Sequence, residues 1–329
     1  MKFVHIADMH FDGPFINLSD KEGLGDLRRL EQRKVFKKVI EYIKENNIKY
    51  LFISPGNHDP IIKNSYYNQF NWNFNVKIFN EKIEKIETED ANIYGVGFND
   101  FYCTSCKIED IKIDNKEKNN ILIMHGTVDG ATTEEKQYNP ITKKALKEKE
   151  FDYVAMGHIH KLDYNTEENQ RIVYPGSTIS LGFDELGKHG MIVGDLNKDK
   201  INLEFIPLDE EEFIEIDLDV TELKSKEELI EKINSLEIKE NEYAKIILNG
   251  NRNFEINTYE TIKLISNNRI IKIKNKTKIA YDLEKMANNK TLKGLFIKKM
   301  LDKLGNKELN EEDKQIIEKA IEVGLEALE

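Results

Sequence analysis

Five of the seven histidines in this 329-residue sequence lie in short polar stretches that follow apolar runs. A single histidine in such a place usually has a structural role, but several such stretches are harder to explain in that way. His5 and His189 have no ligand partner at a useful spacing and are predicted to be structural. The residue types that could bind a metal ion or transfer a proton fall in Asp8-Met9-His10, Gly56-Asn57-His58-Asp59, His125-Gly126 and Gly157-His158-Ile159-His160.

The spacing within two of these stretches suggests shared metal centres. Asp8 and His10 point to the same side of an extended chain, and so do His158 and His160, so each pair can hold one centre. Oxygen and imidazole ligands without thiolate suit Mn, Fe or Zn. Two such ions about 3.5 to 4 Å apart activate a water molecule and bind the oxygens of a phosphoryl group. The pattern therefore predicts a metal centre for phosphoryl chemistry.

The apolar runs before these stretches predict the sheet that must position them. A helix is predicted over residues 24–46, where apolar residues recur at mostly helical spacing. Because ligands in α/β folds bind beyond the carboxyl ends of strands, we expect the site to be built from several loops along one edge. The predicted strands are residues 2–7, 48–53, 92–98, 120–126, 153–160, 171–177, 190–196 and 201–208.

The chain changes character after residue 208, where a strongly acidic stretch covers residues 209–219. We predict a first domain over 1–208, a small α+β cap domain over 209–280, and a C-terminal helical segment over 281–329. The helical segment has an apolar face that fits either the protein's own core or a partner helix. This face consists of Ile317, Ala320, Ile321, Gly324, Leu325 and Leu328.

Charge and composition narrow the class of protein. The formal net charge of -11 argues against a uniformly basic surface for nucleic acid. Residues 263–303 carry 12 Lys or Arg against 3 Asp or Glu, which fits either a solvated face or a local binding patch. Only Cys103 and Cys106 are present, which fits a reducing compartment. No apolar run approaches the roughly 18 residues of a membrane span and no signal-peptide pattern opens the chain, so we expect a cytoplasmic protein.

The motifs "HIADMHFDGPF", "PGNHDP", "ILIMHG", "YVAMGHIH" and "VYPGSTISLGFDELGKHG" extend over about residues 1–195. In type and order they resemble those of the calcineurin-like metallophosphoesterases, and within that family the SbcD and YhaO type of DNA repair exonuclease subunit. The resemblance implies an α/β fold with a four-layer α/β/β/α sandwich, followed by the cap domain and C-terminal helices.

The resemblance also implies roles for individual residues. One manganese ion would be held by Asp8, His10 and His160, and a second by Asn57, His125 and His158. His58 would stabilise the charge of the phosphate and protonate the leaving oxygen, and Asp59 would orient it.

One element of the family pattern is missing. The family has a GDxxD element between its DxH and GNHD elements, and the first Asp bridges the two metal ions. Here the run "IKYLFI" leads directly into "SPGNHDP", so that a strand-helix unit is absent between residues 53 and 54. The second site would then have only neutral ligands, and we expect one metal ion to bind well and the second poorly or not at all. We expect "YLFI" to occupy the GNHD strand position and to leave a gap in the sheet, rather than to lie next to the first strand.

By resemblance, the function is manganese-dependent phosphodiester hydrolysis on DNA, as the nuclease subunit of an SMC-like ATPase, with a homodimer as a further possibility. The cap would contact DNA through part of residues 263–303, and the tail would bind the coiled coil of the ATPase. One alternative is a catalytically impaired scaffold of the same fold. A second is a phosphodiesterase for small molecules.

Overall fold

The computed structural model describes most of the chain. The described residues are 1–11, 18, 23–69, 71–72, 75–103, 108–129, 138–164, 171–198, 200–279, 283–305 and 310–328. Cys106 and the start of the predicted tail segment at residue 281 lie outside these residues. The chain divides into two compact units, one of residues 1–214 with 241–243 and the other of residues 215–240 with 244–329. The predicted domain boundaries at residues 208 and 280 stay predictions.

The first unit begins with a sheet covered by one long helix. Strand β1 (Lys2–His5) pairs antiparallel with β9 (Gly190–Leu196), which pairs antiparallel with β10 (Ile201–Pro207). Helix α1 (Leu24–Glu45) packs on this sheet through Val35 and Val39, which contact Met191 of β9. The later part of the apolar stripe therefore packs on the sheet, whereas Leu27 and Leu30 near the start of the helix are 42% and 55% exposed.

The second sheet of this unit has five strands. Its order is β4 (Glu84–Glu87), β5 (Ala91–Gly95), β6 (Asn119–His125), β7 (Tyr153–Gly157) and β8 (Ile172–Val173), and only the β4–β5 pair is antiparallel. Alternate residues of β7 face opposite ways. Tyr153 and Ala155 pack between the two sheets, while Val154 and Met156 pack on the side of helix α2 (Lys143–Glu148). The layers are thus helix, sheet, sheet and helix, and the predicted fold class is confirmed.

A separate pair of strands carries the GNHD loop. Strand β2 (Leu51–Ile53) pairs in parallel with β3 (Val76–Ile78), a strand that the sequence reading missed. Among the described residues β1 pairs only with β9 and β2 only with β3, so both are edge strands. The sequence run before "SPGNHDP" therefore does not lie next to the first strand, and a gap separates the two.

The second unit combines a small sheet with helices. Its strands are β11 (Glu212–Asp219), β12 (Glu242–Asn249) and β14 (Ile270–Asn275), with a short pair of β13 (Asn251–Arg252) and β15 (Lys278–Ile279). Helices α3 (Lys226–Asn234) and α4 (Thr258–Leu264) start at Ser225 and Asn257, whose side chains accept hydrogen bonds from backbone N–H groups in the first turn.

Three helices form the end of the chain: α5 (Leu283–Ala287), α6 (Leu292–Leu304) and α7 (Glu311–Ala327). Ile321 and Leu325 of α7 are buried against Ile297 of α6. Part of the predicted apolar face thus packs within the chain itself. No helix among the described residues is both long and apolar enough to cross a lipid bilayer.

Candidate metal centre

The centre lies at the carboxyl ends of β1, β2, β6 and β7, where four loops meet. Asp8, His10 and His158 have positive φ angles of 49°, 46° and 106°. Such angles are strained for residues other than glycine, and they cluster at functional sites. Strand β7 ends at Gly157, so the argument from an extended chain does not hold for His158 and His160, and the two side chains join different groups of residues.

Asp8, His10 and His160 converge on one point. Their ligand atoms lie within 4.8 Å of one another. The Asp8 Oδ1 atom is 4.0 Å from His10 Nε2 and 3.9 Å from His160 Nε2. Both carboxylate oxygens of Asp8 accept hydrogen bonds from the backbone N–H of His158, at 3.1 and 3.0 Å. Burial raises the pKa of Asp8 to about 6, although the charge of His160 and the His158 N–H oppose the shift.

The chemistry of this triad fits a divalent cation. Among the described residues the Nε2 atom of His10 is buried and has no hydrogen-bond partner, and it faces the Asp8 carboxylate. Burial, with the nearby His160 and His58, lowers the pKa of His10 to about 3, so the ring is neutral and offers a lone pair. An unpaired buried nitrogen beside a carboxylate is costly unless a cation completes its contacts. The residues therefore fit a facial triad of two histidines and one carboxylate.

Glu185 fixes the orientation of His160, the third ligand of the triad. It was not among the functional residues predicted from the sequence. One of its oxygens accepts a hydrogen bond from His160 Nδ1, which leaves Nε2 facing Asp8. The other accepts from Ser177 Oγ at 2.8 Å and from the Leu181 N–H at 3.2 Å. Burial alone would lower the pKa of His160, but the hydrogen bond and charge of Glu185, with the charge of Asp8, raise it. The "FDE" motif, which contains Glu185, is the sequence signal that could have identified it as a functional residue.

The two histidines predicted to be structural do make internal contacts. His189 is buried, and its Nε2 atom lies 2.9 Å from the carbonyl oxygen of Glu185. His5 is also buried, with Nδ1 2.9 Å from the Tyr153 hydroxyl, and burial lowers its pKa to about 3. His189 therefore helps to hold the loop that presents Glu185.

The second predicted ligand group is closed by an internal hydrogen bond. Asn57 Oδ1 lies 2.7 Å from His125 Nε2, so two of its three predicted ligands already contact each other. The His125 and His158 rings are 5.2 Å apart, and burial lowers the pKa of both, that of His158 to about 4. This group has no carboxylate of its own. Its closest described carboxylate contact is Asp8 Oδ1, 3.9 Å from His125 Nδ1.

Glycine is required where the GNHD loop meets His125. A Cβ atom added at Gly56 would lie 2.5 Å from His125 Cε1, and one at Gly157 would lie 2.9 Å from His125 Nδ1. Both distances are shorter than any ordinary contact. The two glycines therefore allow the β2 and β7 loops to close around the His125 ring.

His58 is exposed next to the triad. Its ring centroid lies 4.4 Å from that of His10. Partial desolvation by the protein atoms around one side of the ring, followed by the charge of His160, lowers the pKa of His58. The Asp59 carboxylate accepts hydrogen bonds from the Gly56 N–H at 2.8 Å and from the Tyr67 hydroxyl. Asp59 thus braces the loop, and its predicted role in orienting His58 stays a prediction.

Comparison with known proteins agrees with this geometry. A family model described as the calcineurin-like phosphoesterase superfamily domain matches residues 1–199. An uncharacterized metallophosphoesterase, YhaO of Bacillus subtilis (strain 168), is 25% identical over 275 residues, which cover 71% of this chain and 66% of that protein. The match therefore spans slightly less than two thirds of the relative. With the family model covering more than half of the chain and the ligand-bearing loops in place, the chain belongs to the calcineurin-like phosphoesterase superfamily.

Proposed function

We propose that this chain hydrolyses phosphodiester bonds in DNA, with manganese as its cation, as the cytoplasmic nuclease subunit of an SMC-like ATPase. Family membership supports phosphoester hydrolysis in general. The observation that carries the proposal is the convergence of Asp8, His10 and His160 on one point, with His58 exposed beside them.

Each side chain of the site would have a distinct role in hydrolysis. Asp8, His10 and His160 would hold the cation, and a cation bound there would polarise a phosphoryl oxygen and acidify a bound water molecule. Glu185 keeps Nε2 of His160 directed at Asp8. A phosphate group next to His58 favours the protonated imidazole, which can then donate a proton to the leaving oxygen.

Features of the second unit support DNA and an ATPase as partners. Lysines at 274, 276, 278, 298, 299 and 303 are exposed in the basic region, and they could contact phosphates. On α7, Ile316 and Val323 are 61% and 52% exposed, and Ala320 between them is exposed as well. These three residues lie on one helical face, which suits a groove or helix of a partner. The homodimer stays a prediction.

One observation favours the scaffold alternative. Asn57 and His125, two of the predicted ligands of the second cation, already share a hydrogen bond. The sequence also lacks the GDxxD element whose first Asp bridges the two cations in the family. A scaffold would bind its partner without metal-dependent turnover. The small-molecule phosphodiesterase has weaker support, because it gives no role to the exposed face of α7.

The test is manganese-dependent hydrolysis of bis(p-nitrophenyl) phosphate and of linear duplex DNA. The intact chain is compared with His58→Ala and with Lys63→Ala, an exposed residue further along the same segment. Loss of turnover in His58→Ala alone, by about 10²- to 10⁴-fold for a proton-transfer residue, would support the enzyme. Hydrolysis of the small ester without DNA cleavage would favour the small-molecule alternative. No turnover from folded, metal-loaded protein would favour the scaffold.

A further inference from the structure

A cavity of about 760 Å³ separates β1 from β2 in the first unit. Protein interiors seldom contain voids larger than a water molecule. The volume of this cavity falls in the range of about 300 to 1,000 Å³ that is typical of ligand sites. It lies alongside both strands and reaches from Lys2 and Lys49 at one end to Asp8, His10 and His58 at the other.

The two sides of the cavity are strand edges. Since β1 pairs only with β9 and β2 only with β3 in the described part of the chain, each has one edge directed away from its neighbour. An edge presents backbone N–H and C=O groups that seek hydrogen bonds. Both strands end at the metal centre, so they run in the same direction, and a strand between them could pair with both.

The two remaining walls are apolar. Phe36, Ile40 and Ile43 of α1 line one wall, and Ile121 of β6 and Ala155 of β7 are among the residues of the opposite wall. The cavity therefore has the thickness of one sheet layer, with a helix on one face and a sheet on the other. Its charged lining residues are found mainly towards its two ends, so a complementary occupant is apolar in the middle and polar at its ends.

We propose that this cavity is an acceptor slot for one extended segment of a partner polypeptide, which adds a strand between β1 and β2. Such a segment has apolar side chains on both faces and runs parallel to its neighbours, as buried parallel strands do. From the level of Lys2 to that of Asp8 the slot accommodates about seven extended residues at about 3.3 Å each. Enclosed by two strand edges and two apolar walls, such a segment would be buried on both faces, as the core of a stable interface is.

A second copy of this chain does not provide such a strand from its described residues. Among the described strands of five or more residues, those with apolar residues on both faces are β5, β6, β7, β9 and β12, and each is paired on both sides. The shorter strands β1 and β2 form the walls of the slot itself. An apolar small molecule would leave the backbone groups of both edges without partners. A separate polypeptide therefore fits best, and this proposal does not depend on catalytic activity.

The test uses a synthetic peptide with the β7 sequence Tyr153–Gly157 and flanking lysines, because β7 is a buried parallel strand of the required kind. A matched peptide carries Ala155→Pro, which removes one N–H and blocks pairing. Trp72 lines the cavity and is the single tryptophan of the sequence, so its fluorescence reports binding. Hydrogen exchange of the β1 and β2 amides reports strand pairing.

We expect saturable binding, slower exchange in both strands, and binding weaker by about tenfold or more for the proline peptide. On the protein side, Ile40→Trp fills the slot and should weaken binding by a similar factor. Leu30→Trp, at a 55% exposed position on the same helix that does not line the cavity, should leave binding unchanged.

Three results would overturn the proposal. The first is no saturable binding or protection in a chain whose circular dichroism shows that it is folded. The second is a dimer in which β1 and β2 are already protected, which would make a second copy the occupant. The third is an apolar dye in the cavity that the peptide does not displace. If Ile40→Trp does not fold, the comparison with the proline peptide still distinguishes strand addition from non-specific binding of the peptide.

Discussion

Replacing Glu185 by glutamine tests how the third ligand of the triad is held. In the native chain the carboxylate accepts three hydrogen bonds, from His160 Nδ1, Ser177 Oγ and the Leu181 N–H. A glutamine has only one accepting oxygen. If that oxygen keeps the contacts with Ser177 and Leu181, its NH₂ group faces His160 Nδ1 and requires this nitrogen to accept.

The consequence is a change of tautomer. With Nδ1 as the acceptor, the proton of a neutral His160 ring moves to Nε2, the atom that faces Asp8 at 3.9 Å. A protonated Nε2 cannot ligate a cation. Loss of the partner that orients a ligating histidine reduces metal affinity by about 10- to 100-fold. This range corresponds to about 1.4 to 2.8 kcal/mol, at about 1.4 kcal/mol per tenfold change.

The assay combines manganese affinity with a direct view of the ring. Isothermal titration gives the dissociation constant, and ¹⁵N NMR of the histidine rings in the metal-free protein reports the tautomer of His160. Asp184→Asn is the matched control, because it removes the same charge at the neighbouring exposed position. Glu185→Gln with native affinity and an Nδ1–H tautomer would refute the reasoning. A fall in affinity that Asp184→Asn reproduces would indicate a general effect of charge.

Three further predictions concern the same centre. Manganese titration should give one tight site per chain. This site should be lost in His10→Ala, and its affinity should stay within a few-fold of native in His125→Ala. Two tight sites per chain would contradict the prediction that Asn57, His125 and His158 bind a second cation poorly. Affinity for the cation should fall by at least about tenfold per pH unit below pH 6. Asp8, with a pKa of about 6, and His160, with a raised pKa, must both lose their protons before they can bind the cation. A flat affinity profile between pH 7 and pH 5 would refute this prediction. Gly56→Ala should lower the free energy of unfolding by about 1 to 3 kcal/mol, because the new Cβ atom would clash with the His125 ring. An unchanged midpoint of urea unfolding would contradict this close packing.

Most long strands and helices could be predicted from the sequence, because their signals are local. The prediction of a helix over 24–46 matches α1 at Leu24–Glu45, and runs such as 190–196 match their strands. Strands β3 and β4 were missed because they are short, and β4 has three charged residues and a single isoleucine. The predicted strand over 171–177 reduces to Ile172–Val173, because Pro175 and Gly176 turn the chain.

The sequence by itself determined which residues could bind a cation and that they follow strands, because strand periodicity and residue type are properties of neighbours along the chain. The family resemblance implied how these residues are grouped, and only the tertiary structure decided the geometry that brings each group together. The φ angle of 106° at His158 sends it towards His125 instead of into the triad, and Glu185 reaches His160 from 25 positions away. The cavity between β1 and β2 is likewise a property of pairing between distant strands, which depends on the whole fold and on no local pattern.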